Sequence, residues 1–211
     1  MDFEEFEEEF KKYNWYGGEK SESFYLIKGK GNVIISCPHS VRLFREDTIK
    51  PQDLFTGALG KYISKYSLCH LIYKTKCDKD DANFVQSSAY RDELIRFIKE
   101  NGVKYLIDLH ASSFFRPYNI DIGTNFDKNI KYNEEIKNLL TNTFAEHNID
   151  EVTFNNTFFA GKNAVSNIVN NETGIITMQL EINRKLRENN EALEKVGNAI
   201  LDIVSKLEKL K

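Results

Sequence analysis

Lys104-Tyr105-Leu106-Ile107-Asp108-Leu109-His110 is a short apolar run that ends on two ionisable side chains. A run of this length without strict alternation reads as a strand buried on both faces of a parallel sheet. Working outward, Asn32-Val33-Ile34-Ile35-Ser36 has the same character. It follows Gly29-Lys30-Gly31 and stops before Pro38, which cannot donate to a central ladder. A third, longer strand falls within Gly174 to Asn183, and shorter ones at Ser23–Lys28, Cys69–Lys74 and Tyr118–Ile122. Between them, residues 53–66 (Leu54, Ala58, Leu59, Ile63), 87–100 (Leu94, Ile95, Ile98), 129–147, 162–169 and 186–210 show helical spacing. Strands alternating with helices predict an α/β protein, a three-layer αβα sandwich around a mixed, largely parallel central sheet. No repeat or Pro/Ser-rich linker divides residues 1–211, so one domain is expected. Phe3, Phe6 and Phe10 mark residues 1–20 as an amphipathic helical appendage to it.

Composition narrows the partners. The 211 residues carry 29 basic and 32 acidic side chains, a net charge of −3. With no Lys/Arg surplus to release counterions, nucleic acid is not an expected partner. Hydrophobic residues at 41% are enough for a packed core and exclude the disordered class. No apolar run approaches the ~20 residues that span a bilayer, so no membrane is expected either. The acidic start (Asp2, Glu4, Glu5, Glu7, Glu8, Glu9) is the opposite of a signal peptide, and the three cysteines lack CxxC spacing. A reducing, cytoplasmic location is the expectation.

In an open α/β sheet, ligands gather at the carboxyl ends of the strands. Three strand ends here carry ionisable groups: His39 follows Cys37-Pro38, His110 ends the central run, and Glu181 lies within Gln179-Leu180-Glu181-Ile182-Asn183. With side chains repeating every two residues, Asp108 shares a face with His110, and Gln179 shares one with Glu181. A carboxylate in an apolar strand needs a cation or donors, because burying it alone is costly. Two imidazoles and a carboxylate suit Zn²⁺, which in catalytic sites keeps three protein ligands and one open position. Asp53 is the candidate third ligand, or an ordinary helix N-cap; Glu46 and Asp47 lie nearer His39 in sequence and compete with it. Cys37 beside His39 also invites a nucleophile reading, against which stands its place in a buried strand end.

Taken in order, Cys37-Pro38-His39-Ser40, Asp53-Leu54-Phe55-Thr56, Asp108-Leu109-His110 and Gln179-Leu180-Glu181-Ile182-Asn183-Arg184 resemble the N-formylglutamate amidohydrolase family, from about Val33 to Arg187. The resemblance implies a zinc-carboxypeptidase-like fold and one Zn²⁺ held by His39, Asp53 and His110, with Glu181 as the general base and acid. The chain is a divergent member of the pattern. Val41 stands where the family has glycine after its Pro-His-Ser, and Asp81-Ala82-Asn83-Phe84 keeps Asn83 but not the neighbouring arginine that helps grip a substrate carboxylate. Arg116, on the loop after His110, and Arg184, three residues beyond Glu181, are the alternative cations, since a guanidinium matches carboxylate bidentately. The expected activity is therefore zinc-dependent hydrolysis of a C–N bond in a small anionic amide. Asn83, Arg116 and Arg184 are expected to bind it. The competing expectation is a silent binding domain on the same fold, since fold alone does not fix function.

Overall fold

In chain order the elements are α1 (Phe3–Trp15), β1 (Phe24–Ile27), β2 (Val33–Cys37), β3 (Leu43–Arg45), β4 (Thr48–Lys50), α2 (Thr56–Tyr66), β5 (His70–Lys74), α3 (Ala89–Asn101), β6 (Tyr105–Ser112), β7 (Ile120–Gly123), α4 (Glu134–Glu146), β8 (Val152–Phe154), α5 (Val165–Thr173), β9 (Ile176–Asn183) and α6 (Asn190–Lys209). They come from a computed structural model that describes residues 2–19 and 21–210. Seven strands form one sheet in the order β1-β5-β2-β6-β9-β7-β8, while β3 and β4 make a separate hairpin. β5, β2, β6 and β9 run parallel; β1 and β7 pair antiparallel with β5 and β9. This is the mixed, mostly parallel α/β arrangement expected.

The two faces of the sheet differ in what covers them. On one, Ile35, Ile107, Leu109, Met178, Leu180 and Ile182 join the large core, to which α2, α4 and α6 contribute Leu59, Leu140, Ile200 and Leu207. Phe3 and Phe10 of α1 are fully buried in that core, so the helix expected as an appendage is packed into it. Helices here approach closely because of small residues: a Cβ on Gly57 would lie 2.5 Å from the Phe10 ring, and one on Gly60 2.6 Å from Cys37 Sγ. On the other face, Ile34, Ile72 and Leu106 meet Tyr90 and Leu94 of α3 and Val169 of α5 in a smaller cluster. That apolar cover lies toward the strand beginnings. Beyond it, the same face continues as Asp108, His110, Gln179 and Glu181.

Local chemistry explains most element ends. Ser88 caps α3 by accepting from Arg91 N, and Gly102 (φ 68°) terminates it in the left-handed region where glycine carries no Cβ penalty. Asn133 and Asn189 cap α4 and α6 in the same way, which shortens both relative to the expected 129–147 and 186–210. The residues trimmed off form 3-10 turns, Lys128–Ile130 and Arg184–Arg187. Among the described residues no helix is long and apolar enough to cross a membrane.

Candidate metal centre

The centre is assembled from the carboxyl ends of β2 and β6 and the loop that enters α2. Pro38 ends β2 and His39 follows it, buried. Asp53 does not cap α2: Phe55 holds the N-cap position, with a left-handed φ of 66° and no side-chain hydrogen bond. The Asp53 carbonyl instead accepts from Thr56 N and Oγ1, which leaves its carboxylate free to turn toward the sheet. Asp53 Oδ2 lies 3.3 Å from His39 Nδ1 and 3.2 Å from His110 Nδ1, and accepts from Ala111 N at 3.3 Å. One ligand atom from each of His39, Asp53 and His110 falls within 4.8 Å of the others. Glu46 and Asp47 occupy the exposed turn of the β3–β4 hairpin and take no part.

Each imidazole is held from behind by a second carboxylate. His39 Nε2 lies 2.9 Å from Asp81 Oδ1, and His110 Nε2 lies 3.1 Å from Asp108 Oδ2. A carboxylate that accepts from one ring nitrogen leaves the other as a lone pair. In that tautomer both Nδ1 lone pairs face the same anionic Asp53 oxygen, an arrangement that calls for a cation between them. The donor set thus fits zinc: two imidazoles and a carboxylate, each imidazole oriented by an outer acid. Burial alone would lower the His110 pKa, but the charge and hydrogen bond of Asp108, together with Asp53, hold it well above the usual range. Burial likewise works against the Asp53 charge, and is outweighed by His110, His39 and Lys50, so its carboxyl sits well below the ordinary value.

Two cations enter from the β3–β4 hairpin, which the sequence reading did not single out. Arg45 pairs with Asp81, and Lys50 Nζ lies 3.0 Å from Asp53 Oδ1. Arg45 also stacks over the ring of Phe84, the residue standing where the arginine of the resembled family would be. Asn83 is at the centre as well: its side-chain amide nitrogen is 3.5 Å from Nε2 of both histidines, while its oxygen accepts from Val165 N at the start of α5.

Glu181 is register partner to His110 across the β6–β9 pair, so both side chains project from the same face. It is 4% exposed and lines a cavity of about 370 Å³ together with His39, Asp53, Asn83 and His110. Burial pushes its pKa up to about 7, with the Asp53 charge adding to the rise and His110, the Gln179 amide (2.7 Å) and Lys50 opposing it. The far wall is the segment Thr157–Gly161. Asp121, fully buried on β7 opposite Glu181, accepts from the backbone N–H of Asn156, Thr157 and Phe158 and from Thr153 Oγ1, which fixes that wall.

Other expected residues lie elsewhere. Arg116 stacks on Phe158, whose ring lines the cavity, but does not line it itself. Arg184 is exposed, pairs with Glu188 at 3.8 Å and borders an adjoining cleft. Cys37 faces the core; its thiol donates to Thr56 O at 3.3 Å, and burial raises its pKa well above the ordinary value. A buried thiol held protonated is not a nucleophile.

No protein-family model and no curated protein matches the sequence. Solved structures share its fold. An N-formylglutamate amidohydrolase from Ralstonia eutropha JMP134 is similar with a TM-score of 0.67 and 14% identity, over 89% of this chain and 97% of that one. A bacteriophage poly-gamma-glutamate hydrolase is similar at 0.58 and 13%, over 92% and 94%. A metallo-carboxypeptidase from Burkholderia cenocepacia follows at 0.51 and 12%, over 90% of this chain and 66% of that one. The architecture is thus the one the sequence motifs implied.

Proposed function

We propose that the protein is a zinc-dependent amidohydrolase that cleaves a C–N bond in a small, acidic N-acyl amino acid or peptide-like amide. The observation that carries this reading is the meeting of two imidazole Nδ1 atoms and one carboxylate oxygen beside a buried Glu181. Support also comes from the structures of similar fold, which are named as an amidohydrolase, a hydrolase and a carboxypeptidase. His39, Asp53 and His110 would hold a single Zn²⁺, which when bound polarises a carbonyl and makes water more acidic.

Everything else falls to the chain's own groups. Asp81 and Asp108 fix the two rings, so the ligands are pre-oriented. Glu181, whose pKa burial raises to about 7, is placed to accept a proton from water and return it to the departing nitrogen. Asn83 is assigned the grip on the substrate, and Arg45 and Lys50 add positive charge inside the cavity, in place of Arg116, which stands outside it. The three free cysteines suit a reducing cytoplasm, where the proposal places the protein.

The test is metal content together with hydrolysis. About one zinc per chain is expected, with amine released from a panel of N-acyl glutamates and aspartates, and both lost in His110→Ala. A protein that takes up no zinc and hydrolyses nothing in the panel refutes the reading.

A further inference from the structure

The cavity beside Glu181 is amphipathic. Arg45, Lys50 and the residues of the metal centre line one part of it, whereas the far wall presents Phe158, Phe159, Ala160, Gly161 and Ala164. Phe159 is 45% exposed although it lines a cavity, so much of it stays open to a ligand. Phe126, 60% exposed, stacks against it, the ring centroids 5.4 Å apart and the planes at 24°. Single exposed apolar side chains are ordinary on a protein surface. Paired exposed rings at a concave site mark a ligand contact.

The backbone that carries these rings is strained. Phe126 and Ala160 both have φ 53°, a left-handed value that residues other than Gly, Asn and Asp rarely adopt. Several contacts together hold the arrangement in place. Asn125 N donates to Phe159 O at 2.7 Å, which ties the two segments directly, and Phe126 N donates to Asn155 Oδ1 at 3.3 Å. Lys137 pairs with Asp127 at 2.9 Å, and Asp121 accepts from Thr157 N and Phe158 N. Two glycines allow the close approach: a Cβ on Gly123 would fall 2.5 Å from Phe158 O, and one on Gly161 2.8 Å from the Phe159 ring. The Phe159 ring is thus bounded by Gly161 and Phe126 and still open to the cavity. Strain kept under so many constraints beside a site belongs to what that site binds.

From this we infer that the far wall is an acyl subsite for an aromatic ring, which packs against Phe159, and that the preferred substrate is an N-aroyl acidic amino acid. The inference rests on the amidohydrolase reading and deepens it by naming the acyl group. In an N-acyl amino acid the carboxylates belong to the amine half, whose counter-charges in the cavity are Arg45 and Lys50. That leaves the aromatic wall to the acyl half. A rigidly held ring favours another planar ring over an alkyl group of equal size, because aromatic pairs gain from offset or edge-on packing beyond the area they bury. The cavity, at about 370 Å³, is near the lower end of the ~300–1,000 Å³ typical of small-molecule sites, which suits one ring and one short side chain.

The experiment supplies zinc to the protein and compares three N-acyl glutamates that differ only in the acyl group: acetyl, cyclohexanecarbonyl and benzoyl. In kcat/KM the benzoyl compound is expected to exceed the acetyl one about tenfold or more, and the cyclohexanecarbonyl one about threefold. Phe159→Leu keeps an apolar side chain without a ring, and should bring the benzoyl-to-cyclohexanecarbonyl ratio to about one; Phe159→Tyr should retain it. Equal values for benzoyl and either of the others, or a ratio that Phe159→Leu leaves intact or Phe159→Tyr abolishes, overturns the inference. Hydrolysis of none of the three counts against the amidohydrolase reading instead. Binding then decides the subsite: N-benzoyl-glutamate should bind about threefold more tightly than the cyclohexanecarbonyl compound, a margin lost in Phe159→Leu, whereas equal binding or none overturns it.

Discussion

Replacing Glu181 by Gln separates the two things a buried carboxylate does. Gln keeps the size of the side chain and an oxygen that can accept from Gln179 Nε2, but it neither ionises nor takes a proton. The pKa of Glu181 is raised from 4.5 to about 7, because burial penalises its charge. A raised acid favours the folded state fully below its unfolded pKa, and that contribution is lost as pH rises through the folded value. At about 1.4 kcal/mol per pH unit, the ionised carboxylate costs the zinc-free fold about 3 kcal/mol at pH 8. Zinc-free Glu181→Gln is therefore expected to be more stable than the parent at pH 8 by up to about 3 kcal/mol, or roughly 6–12 °C in Tm. Near pH 4.5 the two should coincide. Turnover moves the opposite way, falling ~10²–10⁴-fold, the contribution typical of a general acid–base group. Thermal unfolding from pH 4.5 to 8 and steady-state hydrolysis read these separately. Equal pH profiles for the two proteins would show that the carboxylate is not buried as described, and undiminished turnover would remove it as the proton carrier.

Other outcomes follow from the same geometry. Stripping zinc with a chelator should lower Tm in the parent and leave His110→Ala unmoved, because a ligand bound only by the folded state stabilises it by mass action. Asp81→Asn should weaken zinc binding about 10–100-fold without abolishing it, measured by competition with a chromophoric chelator, since the His39 ring loses the acid that orients it. Asp121→Asn puts an N–H₂ where backbone N–H groups now donate, and should destabilise the fold by about 1–3 kcal/mol and speed proteolysis within residues 156–160. Glu7, raised to about 7 by burial between α1 and the Phe55 loop, should make stability fall from pH 4.5 to 8 in its own right; Glu7→Gln should flatten that part of the curve.

The buried strands were legible because their composition is one-dimensional information: Val33–Cys37, Tyr105–Ser112 and Ile176–Asn183 are apolar on both faces until the site begins. His39, Asp53 and His110 were legible through the order of their short motifs, not through any feature of each alone. His70 shows why. It too sits on a buried strand, yet its ring accepts from Gly29 N, meets Gly31 O and packs edge-on against Phe97, holding a turn. The β3–β4 hairpin escaped notice because three-residue strands give no periodicity to read, and with it went Arg45 and Lys50. Asp81 looked like part of an altered substrate motif, and only its contact with His39, forty-two positions away, reveals what it does. Arg184 followed Glu181 too closely in sequence to suggest that the chain turns away between them into a different cleft.

Pairing of His110 with Glu181 across β6 and β9 makes the proposed catalysis hostage to strand registration. Shifting β9 by a single residue would carry Glu181 into the oily layer and thrust Met178, Leu180 or Ile182 toward the imidazoles. The two strands begin about seventy residues apart in the chain, so their zipping is a late, non-local event in folding. Molecules caught in the slipped pairing would be dead as catalysts and sticky, with apolar side chains turned outward. A preparation's specific activity should accordingly serve as a gauge of how many molecules have aligned this one ladder, and heat or dilute denaturant should erode activity in step with aggregation.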